Sequence, residues 1–153
     1  YNLSIGQGDL LVTPLQAAVW TSAIINGGKI VQPHLVEKIE NPVNHEVRKI
    51  NYTTQKVGIL SSHLNTAKQG MRDCSINGSC QLLSYLPFSS GGKTGTAQWS
   101  NKKDNHAWFT SFAPYENPQI VVSILIEEGE EGARTAMPVA YDFLRWWGKK
   151  YLK

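Results

Sequence analysis

HAWFTSFAPYENPQIVVSILIEE, residues 106–128, contains two runs of β-branched and aromatic residues separated by Glu116, Asn117 and Pro118. Runs of this composition predict strands, and the short polar break between them predicts a hairpin. The second run is apolar at successive positions, so both of its faces need cover. We therefore predict that residues 119–128 hold a central strand in a sheet covered on both sides.

SSGGKTGTAQW, residues 89–99, lies just upstream and combines extended character with little side-chain bulk. It carries the ammonium of Lys93 and the hydroxyls of Thr94 and Thr96. An exposed strand with these groups can hold an anion, and it can accept an extended peptide as an additional edge strand. K-T-G alone is a weak signal because three-residue strings recur by chance. Its context must therefore decide what it means.

The first predicted helix follows a nearly complete set of start and stop signals. Thr13 and Gln16 form a T-x-x-Q capping box, and Pro14 suits the first helical position. Residues 26–28, Asn-Gly-Gly, predict where this helix ends. Just before it, Gly6 and Gly8 predict a loop that turns tightly or approaches something closely.

Two further helices are predicted from apolar residues at helical spacing. One is capped by Ser61 or Ser62 and ends near the two cysteines, with an apolar face of Leu64, Ala67 and Met71. The other closes the chain and carries a stripe of Ala136, Ala140, Phe143, Trp147 and Tyr151. We expect this stripe to pack against the sheet.

The segment between the first two helices predicts short surface strands. Residues 29–39, KIVQPHLVEKI, are expected to be extended, with Pro33 marking an edge or a bend. Residues 41–54 are polar and predict a surface hairpin. The whole order is helix, edge strands, helix, three consecutive strands and closing helix. It predicts an α+β fold in which an antiparallel sheet is backed by helices.

Length and composition indicate one globular domain or part of one. The chain has 153 residues, of which 41% are hydrophobic and 18% charged. Its net charge of +3 comes from scattered basic residues, which argues against nucleic-acid binding. No apolar run approaches the roughly 20 residues of a membrane span. Because the chain opens at Tyr1 without a signal peptide, we expect it to be a segment of a longer protein.

The two cysteines, Cys74 and Cys80, enclose five residues that include the turn signal Asn77-Gly78. Two interpretations stay open, a local disulfide in an oxidising compartment and two neighbouring thiols. A disulfide closing so small a loop would stabilise the fold by about 2 kcal/mol. The four histidines show no ligand spacing with the cysteines, so we expect no zinc site, no other metal and no cofactor.

Three parts of the chain together resemble the penicillin-binding protein transpeptidases. The resemblance is to class B enzymes of cell elongation and division, of the penicillin-binding protein 2 type. It rests on SIGQG and TPLQAA (4–8 and 13–18), GGKTGTAQ (91–98) and HAWFTSFAPYENPQIVVSILIEEG (106–129). It implies a penicillin-binding, serine β-lactamase-like transpeptidase fold and peptidoglycan D,D-transpeptidase activity. The K-T-G box is one of three boxes that this superfamily uses for catalysis.

The resemblance also implies roles for residues of the K-T-G stretch. Lys93 would keep the field near the nucleophile positive and help proton transfer. Thr94 and Thr96 would bind the carboxylate of a D-Ala-D-Ala stem peptide or a β-lactam, and Gly95 would keep the strand open to the ligand. The backbone N–H of Thr96 would be one of the two oxyanion-hole donors. Lys93 and Thr96 are thus the expected catalytic residues, and residues 94–96 the expected substrate-binding residues.

The chain departs from the family in lacking a nucleophile box. S-x-x-K occurs at 90–93 and 100–103, and S-x-N at 75–77. We reject all three, because the nucleophile needs a helix N-terminus that places serine and lysine on one face. Residues 1–153 are therefore expected to form the C-terminal part of one transpeptidase domain. The N-terminal part would carry the nucleophile, and the isolated chain would be inactive.

The family resemblance implies a location and partners as well. The parent protein would face the periplasm or the extracytoplasmic side of the bacterial inner membrane, anchored by a segment N-terminal to this chain. Its partners would be stem peptides, β-lactams, the N-terminal half of the domain and a cell-wall glycosyltransferase. Two other hypotheses remain, a noncatalytic peptide or β-lactam sensor and a serine β-lactamase-like hydrolase. The sequence upstream of Tyr1 would discriminate among them.

Overall fold

The computed structural model describes residues 6–152, and the elements follow the predicted order. The helices of this part are α1 (Pro14–Ile25), α2 (Ser61–Asn77) and α3 (Met137–Tyr151). The strands are β1 (Lys29–Val31), β2 (Lys38–Glu40), β3 (Val47–Lys49), β4 (Thr54–Lys56), β5 (Gly91–Ala97), β6 (His106–Ala113) and β7 (Ile120–Ile126). A 3₁₀ turn over Gln81–Tyr85 precedes β5, and a π-helical turn over Gly132–Ala136 precedes α3. The predicted α+β architecture is confirmed.

The main sheet is antiparallel and has the strand order β5-β6-β7. Thr94 of β5 lies opposite Phe109 of β6, which in turn lies opposite Ile124 of β7. The predicted hairpin of β6 and β7 is therefore confirmed. The central position predicted for residues 119–128 is wrong, because β6 is the middle strand and β7 lies at an edge of the described sheet.

Strand β7 is apolar on both faces because a helix covers each of them. Val122 belongs to the main core together with Ala140 and Leu144 of α3. Val121 points the opposite way, as alternate strand residues do, and lines a hollow with Leu15 of α1. Two-sided cover, and not a central position in the sheet, thus explains the apolar run.

The segment between α1 and α2 forms two small antiparallel pairs. β1 pairs with β4, and β2 pairs with β3 across a turn at 41–46. A surface hairpin is present, but it covers residues 38–49 and not the predicted 41–54, because the turn falls at 41–46 and β2 lies before it. The predicted extended run of 29–39 is interrupted after Val31, shortly before Pro33, and the chain bends at Leu35 and Glu37.

The start of α1 agrees with its predicted capping box. The Thr13 hydroxyl accepts the backbone N–H of Gln16 at 3.2 Å, and the Gln16 side chain accepts the backbone N–H of Thr13 at 2.8 Å. The cap expected for α2 is wrong. Leu60 occupies the N-cap position, with no side-chain cap bond, and the helix already includes Ser61.

The buried face of α3 differs from the predicted apolar stripe at two positions. Ala140 and Trp147 are buried as expected, but Phe143 is 40% exposed and Tyr151 53% exposed. Leu144 is fully buried in place of Phe143, since it faces the core beside Phe109. The helix packs on the sheet as predicted, with a slightly rotated face. Among the described residues, no helix is both long and apolar enough to cross a membrane.

Two glycines let β5 lie close to its neighbours. A β-carbon on Gly91 would lie 2.6 Å from the Phe112 ring and 3.2 Å from the carbonyl carbon of Met71 in α2. One on Gly92 would lie 2.8 Å from the ring of Phe109 and 3.2 Å from the side chain of Leu83. The contacts with the two rings are too short for real β-carbons and the 3.2 Å contacts are tight, so the two glycines determine how close β5 lies to α2 and the core.

Gly91→Ala tests this seating. The added methyl has no room between Phe112 and α2, so we expect the free energy of unfolding to fall by about 1–3 kcal/mol. Gly70→Ala is the matched control, because Gly70 lies in α2 and its β-carbon would meet open space. It should stabilise the chain by about 1 kcal/mol. Urea unfolding followed by circular dichroism measures both, and equal effects would contradict the close seating of β5.

Candidate active site

A groove of about 1260 Å³ runs along β5. One wall is the loop before α1, and the other is β5 with its following residues. Its lining consists of residues 6–12, Trp20, residues 93–99, His106, Trp108 and Leu125. All four residues of the predicted site, from Lys93 to Thr96, therefore lie in one groove.

In the described sheet, β5 pairs with β6 and leaves its other edge free of strands. The side chain of Gln7 contacts this edge, with its amide donating to the Thr96 carbonyl at 2.9 Å. In a strand, the N–H and C=O of one residue point to the same side. The backbone N–H of Thr96 therefore also points to the free edge, where a ligand oxygen can accept it.

Gln7 is a site residue that sequence reasoning missed. Its side-chain oxygen also accepts the backbone N–H of Gln98 at 3.4 Å, so one amide binds two backbone groups of the strand edge. Gly6 and Gly8 have positive φ values of 73° and 99°, which confirms the predicted tight turn. The glycines on both sides of Gln7 were the sequence signal for a loop that approaches another part of the chain closely. The Ser4 and Ile5 positions of the SIGQG stretch lie outside the described residues.

Lys93 is exposed and carries its ammonium to the strand edge. Its Nζ donates to the Thr94 carbonyl at 2.6 Å. Among the described residues that line the groove, Lys93 is the one lysine or arginine, and Asp9 is the one carboxylate. The ammonium can exchange its carbonyl partner for an anionic ligand at little cost, because the side chain is long and solvated.

Thr94 is half-buried, and its hydroxyl lies 2.9 Å from the hydroxyl of Ser79. Ser79 belongs to the loop that a disulfide between Cys74 and Cys80 closes. The structure thus selects the disulfide from the two interpretations left open by the sequence. Cys74 lies inside α2, which runs on to Asn77, so the Asn77-Gly78 turn signal marks the helix end.

Gly95 is held from two sides by backbone and side-chain atoms. Its β-carbon would lie 3.1 Å from the β-carbon of Trp108, the residue opposite it on β6. Gly132, in the turn before α3, lies so close that its own β-carbon would come within 2.6 Å of the Gly95 carbonyl oxygen. The middle of the strand is therefore fixed by direct contact with this turn.

The beginning of β5 is tied to α2 and to the β6–β7 turn. The Arg72 guanidinium donates to the Ser90 carbonyl at 2.9 Å, and the Tyr115 backbone N–H donates to the Ser89 carbonyl at 3.0 Å. The ammonium of Lys68 lies 4.8 Å from the centre of the Tyr115 ring, within cation–π distance. These contacts hold the two residues that lead into the K-T-G strand.

Residues at this junction between α2, β5 and the β6–β7 turn also lower the pKa of Glu116. The Ser89 hydroxyl donates to the Glu116 carboxylate, and this bond is the largest cause of the lowered pKa. Arg72 and Lys68 lower it further through their charges. A carboxyl whose pKa is lower in the folded state stabilises the fold above the unfolded-state pKa. That stabilisation is lost as the pH falls through the folded-state pKa.

Ser89→Ala should therefore raise the pKa of Glu116 toward its ordinary value, because the main donor to the carboxylate is removed. NMR titration of the Glu116 side chain measures this shift. Ser100→Ala is the control, since the Ser100 hydroxyl accepts the Lys102 N–H in the β5–β6 loop and has no bond to Glu116. An unchanged Glu116 titration in Ser89→Ala would refute the assignment.

The three rejected serine strings lie outside the helix N-terminal geometry that the family resemblance implies for a nucleophile. Ser90 is fully buried just before β5, and Ser75 is fully buried near the end of α2. Ser100 lies in the loop between β5 and β6. None of the three stands at a helix N-terminus with a lysine one turn further, which is the geometry that the chemistry requires.

Comparisons with known proteins agree with the sequence resemblance. A family model described as "Penicillin binding protein transpeptidase domain" matches residues 2–145. The peptidoglycan D,D-transpeptidase MrdA of Haemophilus influenzae is 33% identical, over 91% of this chain and 24% of the relative. The chain spans about a quarter of the length of this relative and of two further curated D,D-transpeptidases that it matches.

Solved structures share this fold. The D,D-transpeptidase domain of a peptidoglycan glycosyltransferase from Eggerthella lenta is 31% identical with a TM-score of 0.78, covering 93% of this chain and 33% of that one. Penicillin-binding protein A from Mycobacterium tuberculosis, in a ceftriaxone acyl-enzyme complex, is 26% identical with a TM-score of 0.83. That match covers 94% of this chain and 34% of the other. Both matches extend over nearly all of the described elements.

Proposed function

Because the chain belongs to the penicillin-binding protein transpeptidase domain family, we propose that residues 1–153 form the C-terminal part of one such domain. In this proposal, the domain transfers the acyl group of a D-Ala-D-Ala stem peptide in peptidoglycan cross-linking. The relatives named as D,D-transpeptidases support this reaction. The part of the domain N-terminal to this chain supplies the serine nucleophile and its lysine.

The observation that carries the proposal is the free edge of β5. Within four consecutive residues, 93–96, this edge offers the ammonium of Lys93, the hydroxyl of Thr94 and, from Thr96, the backbone N–H. An extended peptide can pair with such an edge through main-chain hydrogen bonds. The same edge then presents a cation and hydroxyl donors to the peptide carboxylate.

In the proposed reaction, the serine oxygen bonds to the carbonyl carbon of the penultimate D-Ala. The carbonyl oxygen becomes negative, and the Thr96 N–H donates to it as one member of the oxyanion hole. The lysine beside the serine takes the serine proton and passes it to the leaving nitrogen as the amide C–N bond breaks, so the terminal D-Ala leaves as its amine and the acyl group stays on the serine as an ester. Lys93 keeps the field positive at this point, and the Thr94 and Thr96 hydroxyls hold the ligand carboxylate.

Gln7 gives the substrate edge a boundary. Because its side chain already binds the Thr96 carbonyl and the Gln98 N–H, a ligand strand can pair with β5 only up to Thr96. The last free donor is then the Thr96 N–H, which is the group that the oxyanion needs. The hydrogen-bonded pairing between the peptide and β5 therefore ends at the peptide carbonyl that reacts.

The proposal extends to the setting of the parent protein. We place it on the extracytoplasmic side of the bacterial membrane, with β-lactams as inhibitors that enter the same groove. The disulfide supports an oxidising compartment, because cytosolic thiols are kept reduced. The β-lactam acyl-enzyme complex of the M. tuberculosis relative supports inhibitor binding. A cell-wall glycosyltransferase is the proposed partner enzyme.

Substitutions at Thr96 separate its hydroxyl from its backbone N–H. In the complete protein, Thr96→Ala should reduce the second-order rate of acylation by penicillin about 10- to 100-fold, since one bond to a charged group is lost. Thr96→Pro also deletes the N–H, and its rate should be about 100- to 1000-fold lower still. Circular dichroism checks folding. If a folded Thr96→Pro reacted as fast as Thr96→Ala, the donor role of Thr96 would be wrong.

Lys93→Ala should affect both stages of the same reaction. Loss of the ammonium weakens the attraction for the carboxylate and the field at the nucleophile, so binding and acylation should fall together by several powers of ten. Lys102→Ala is the control, because that lysine lies in the exposed β5–β6 loop outside the groove lining. A Lys93→Ala variant with unchanged acylation would exclude Lys93 from the site.

The isolated 153-residue chain should form no covalent adduct with penicillin. No serine among the described residues stands at a helix N-terminus with a lysine one turn further, so none is activated for attack. Fluorescent penicillin followed by a denaturing gel and mass spectrometry tests this. A stoichiometric adduct on Ser90 or Ser100 would show that the nucleophile lies within this segment after all.

A further inference from the structure

The loop closed by the disulfide places a second hydroxyl beside the groove. The backbone N–H groups of Gly78 and Cys80 both donate to the Cys74 carbonyl, at 3.1 and 3.0 Å. Cys80 is fully buried and belongs to the main core, whereas Ser79 beside it is exposed. Ser79 is therefore held from both sides by a fixed backbone while its side chain faces Thr94.

The Ser79 hydroxyl has two neighbours and one proton. Its oxygen lies 2.9 Å from the Thr94 hydroxyl oxygen and 3.5 Å from the Cys74 sulfur. A disulfide sulfur carries no proton and is a weak acceptor. The Thr94 oxygen is thus the better acceptor for the Ser79 proton, and the direction of this bond decides what Thr94 can do.

A ligand anion fixes that direction. Each hydroxyl donates once, so Thr94 can donate to a carboxylate only if it does not donate to Ser79. With Ser79 as donor, the chain runs from Ser79 to Thr94 to the carboxylate, and each bond strengthens the next. The opposite direction would leave the Thr94 oxygen lone pairs facing a negative ligand.

We propose that Ser79 is a positioning residue for carboxylate binding, which it favours by donating its proton to the Thr94 hydroxyl. This inference rests on the proposed function, in which Thr94 binds the ligand carboxylate. The disulfide contributes to this positioning, because it restrains the short loop from the end of α2 to Cys80, and Ser79 lies in that loop. Ser79 itself does not touch the reacting atoms.

Acylation of the complete protein by benzylpenicillin tests this role. Stopped-flow kinetics separates the dissociation constant of the first complex from the rate constant of acylation. In Ser79→Ala we expect the dissociation constant to rise about 3- to 10-fold, because one net hydrogen bond's contribution is lost. The acylation rate constant should stay within about twofold, and Ser79→Thr should restore most of the binding.

Ser84→Ala is the matched control in the same region. The Ser84 hydroxyl donates to the Gln81 carbonyl at 2.7 Å within the turn after the disulfide, away from the groove. It should leave both constants unchanged. A dissociation constant that rises equally in Ser84→Ala and Ser79→Ala would identify a general effect on the turn and would overturn the proposal.

The methyl ester of benzylpenicillin separates carboxylate binding from other effects. Since the ester has no negative oxygen for Thr94, its reaction should be slow in the wild type and no slower in Ser79→Ala. An equal loss for the acid and the ester would contradict the relay. A wild type that is not acylated at all would refute the proposed function itself, whereas a reactive wild type with an unaffected Ser79→Ala would refute only this inference.

Reduction gives an independent measurement. Dithiothreitol cleaves the Cys74–Cys80 bond by thiol–disulfide exchange, leaving two protein thiols while the reagent becomes a cyclic disulfide. We expect reduction to raise the benzylpenicillin dissociation constant of the wild type as Ser79→Ala does. It should add little in Ser79→Ala, because both changes remove the same hydrogen bond. Additive losses would show that the disulfide acts on binding by another route and would overturn its part in the proposal.

Discussion

In the described sheet, strand β5 pairs with another strand along one edge only, and the rest of the described structure is arranged around this constraint. Its other edge keeps the alternate N–H and C=O groups that an extended ligand can use. Such an edge binds reliably only if the strand cannot shift, and most contacts of β5 serve that purpose. Glycines at 91 and 92 seat it between α2 and the core, while Arg72 holds the carbonyl just before its first residue.

The polar groups of the site are of two kinds: a backbone N–H whose position is set by the strand, and side chains that add a charge and a hydroxyl. The Thr96 N–H has a direction set by the strand, so it needs no reorganisation when negative charge develops on a ligand. Lys93 and Thr94 are adjustable groups on the same fixed backbone. Gln7 and Ser79 lie outside the strand: Gln7 occupies the edge at the Thr96 carbonyl, and Ser79 contacts the hydroxyl of Thr94 in the middle of the strand.

The sequence predicted what depends on local pattern and missed what depends on distant contacts. The β6–β7 hairpin, the capped α1 and the K-T-G strand follow from spacing and residue type within short windows. The edge position of β7 does not, because two helices from distant parts of the chain make an edge strand look central. The contacts of Gln7 and Ser79 were equally hidden, since Gln7 bonds to Thr96 across 89 positions of the chain and Ser79 bonds to Thr94 across 15.

The close approach of Gly132 to Gly95 has a consequence for how the groove could change over time. Gly132 lies in the turn before α3, and it does not line the groove. A larger residue there would press on the Gly95 and Trp108 backbone from behind and displace β5 without entering the ligand space. Under the proposed function, inhibitor resistance can therefore arise from a residue that no inhibitor contacts, and a screen confined to groove-lining positions would overlook it.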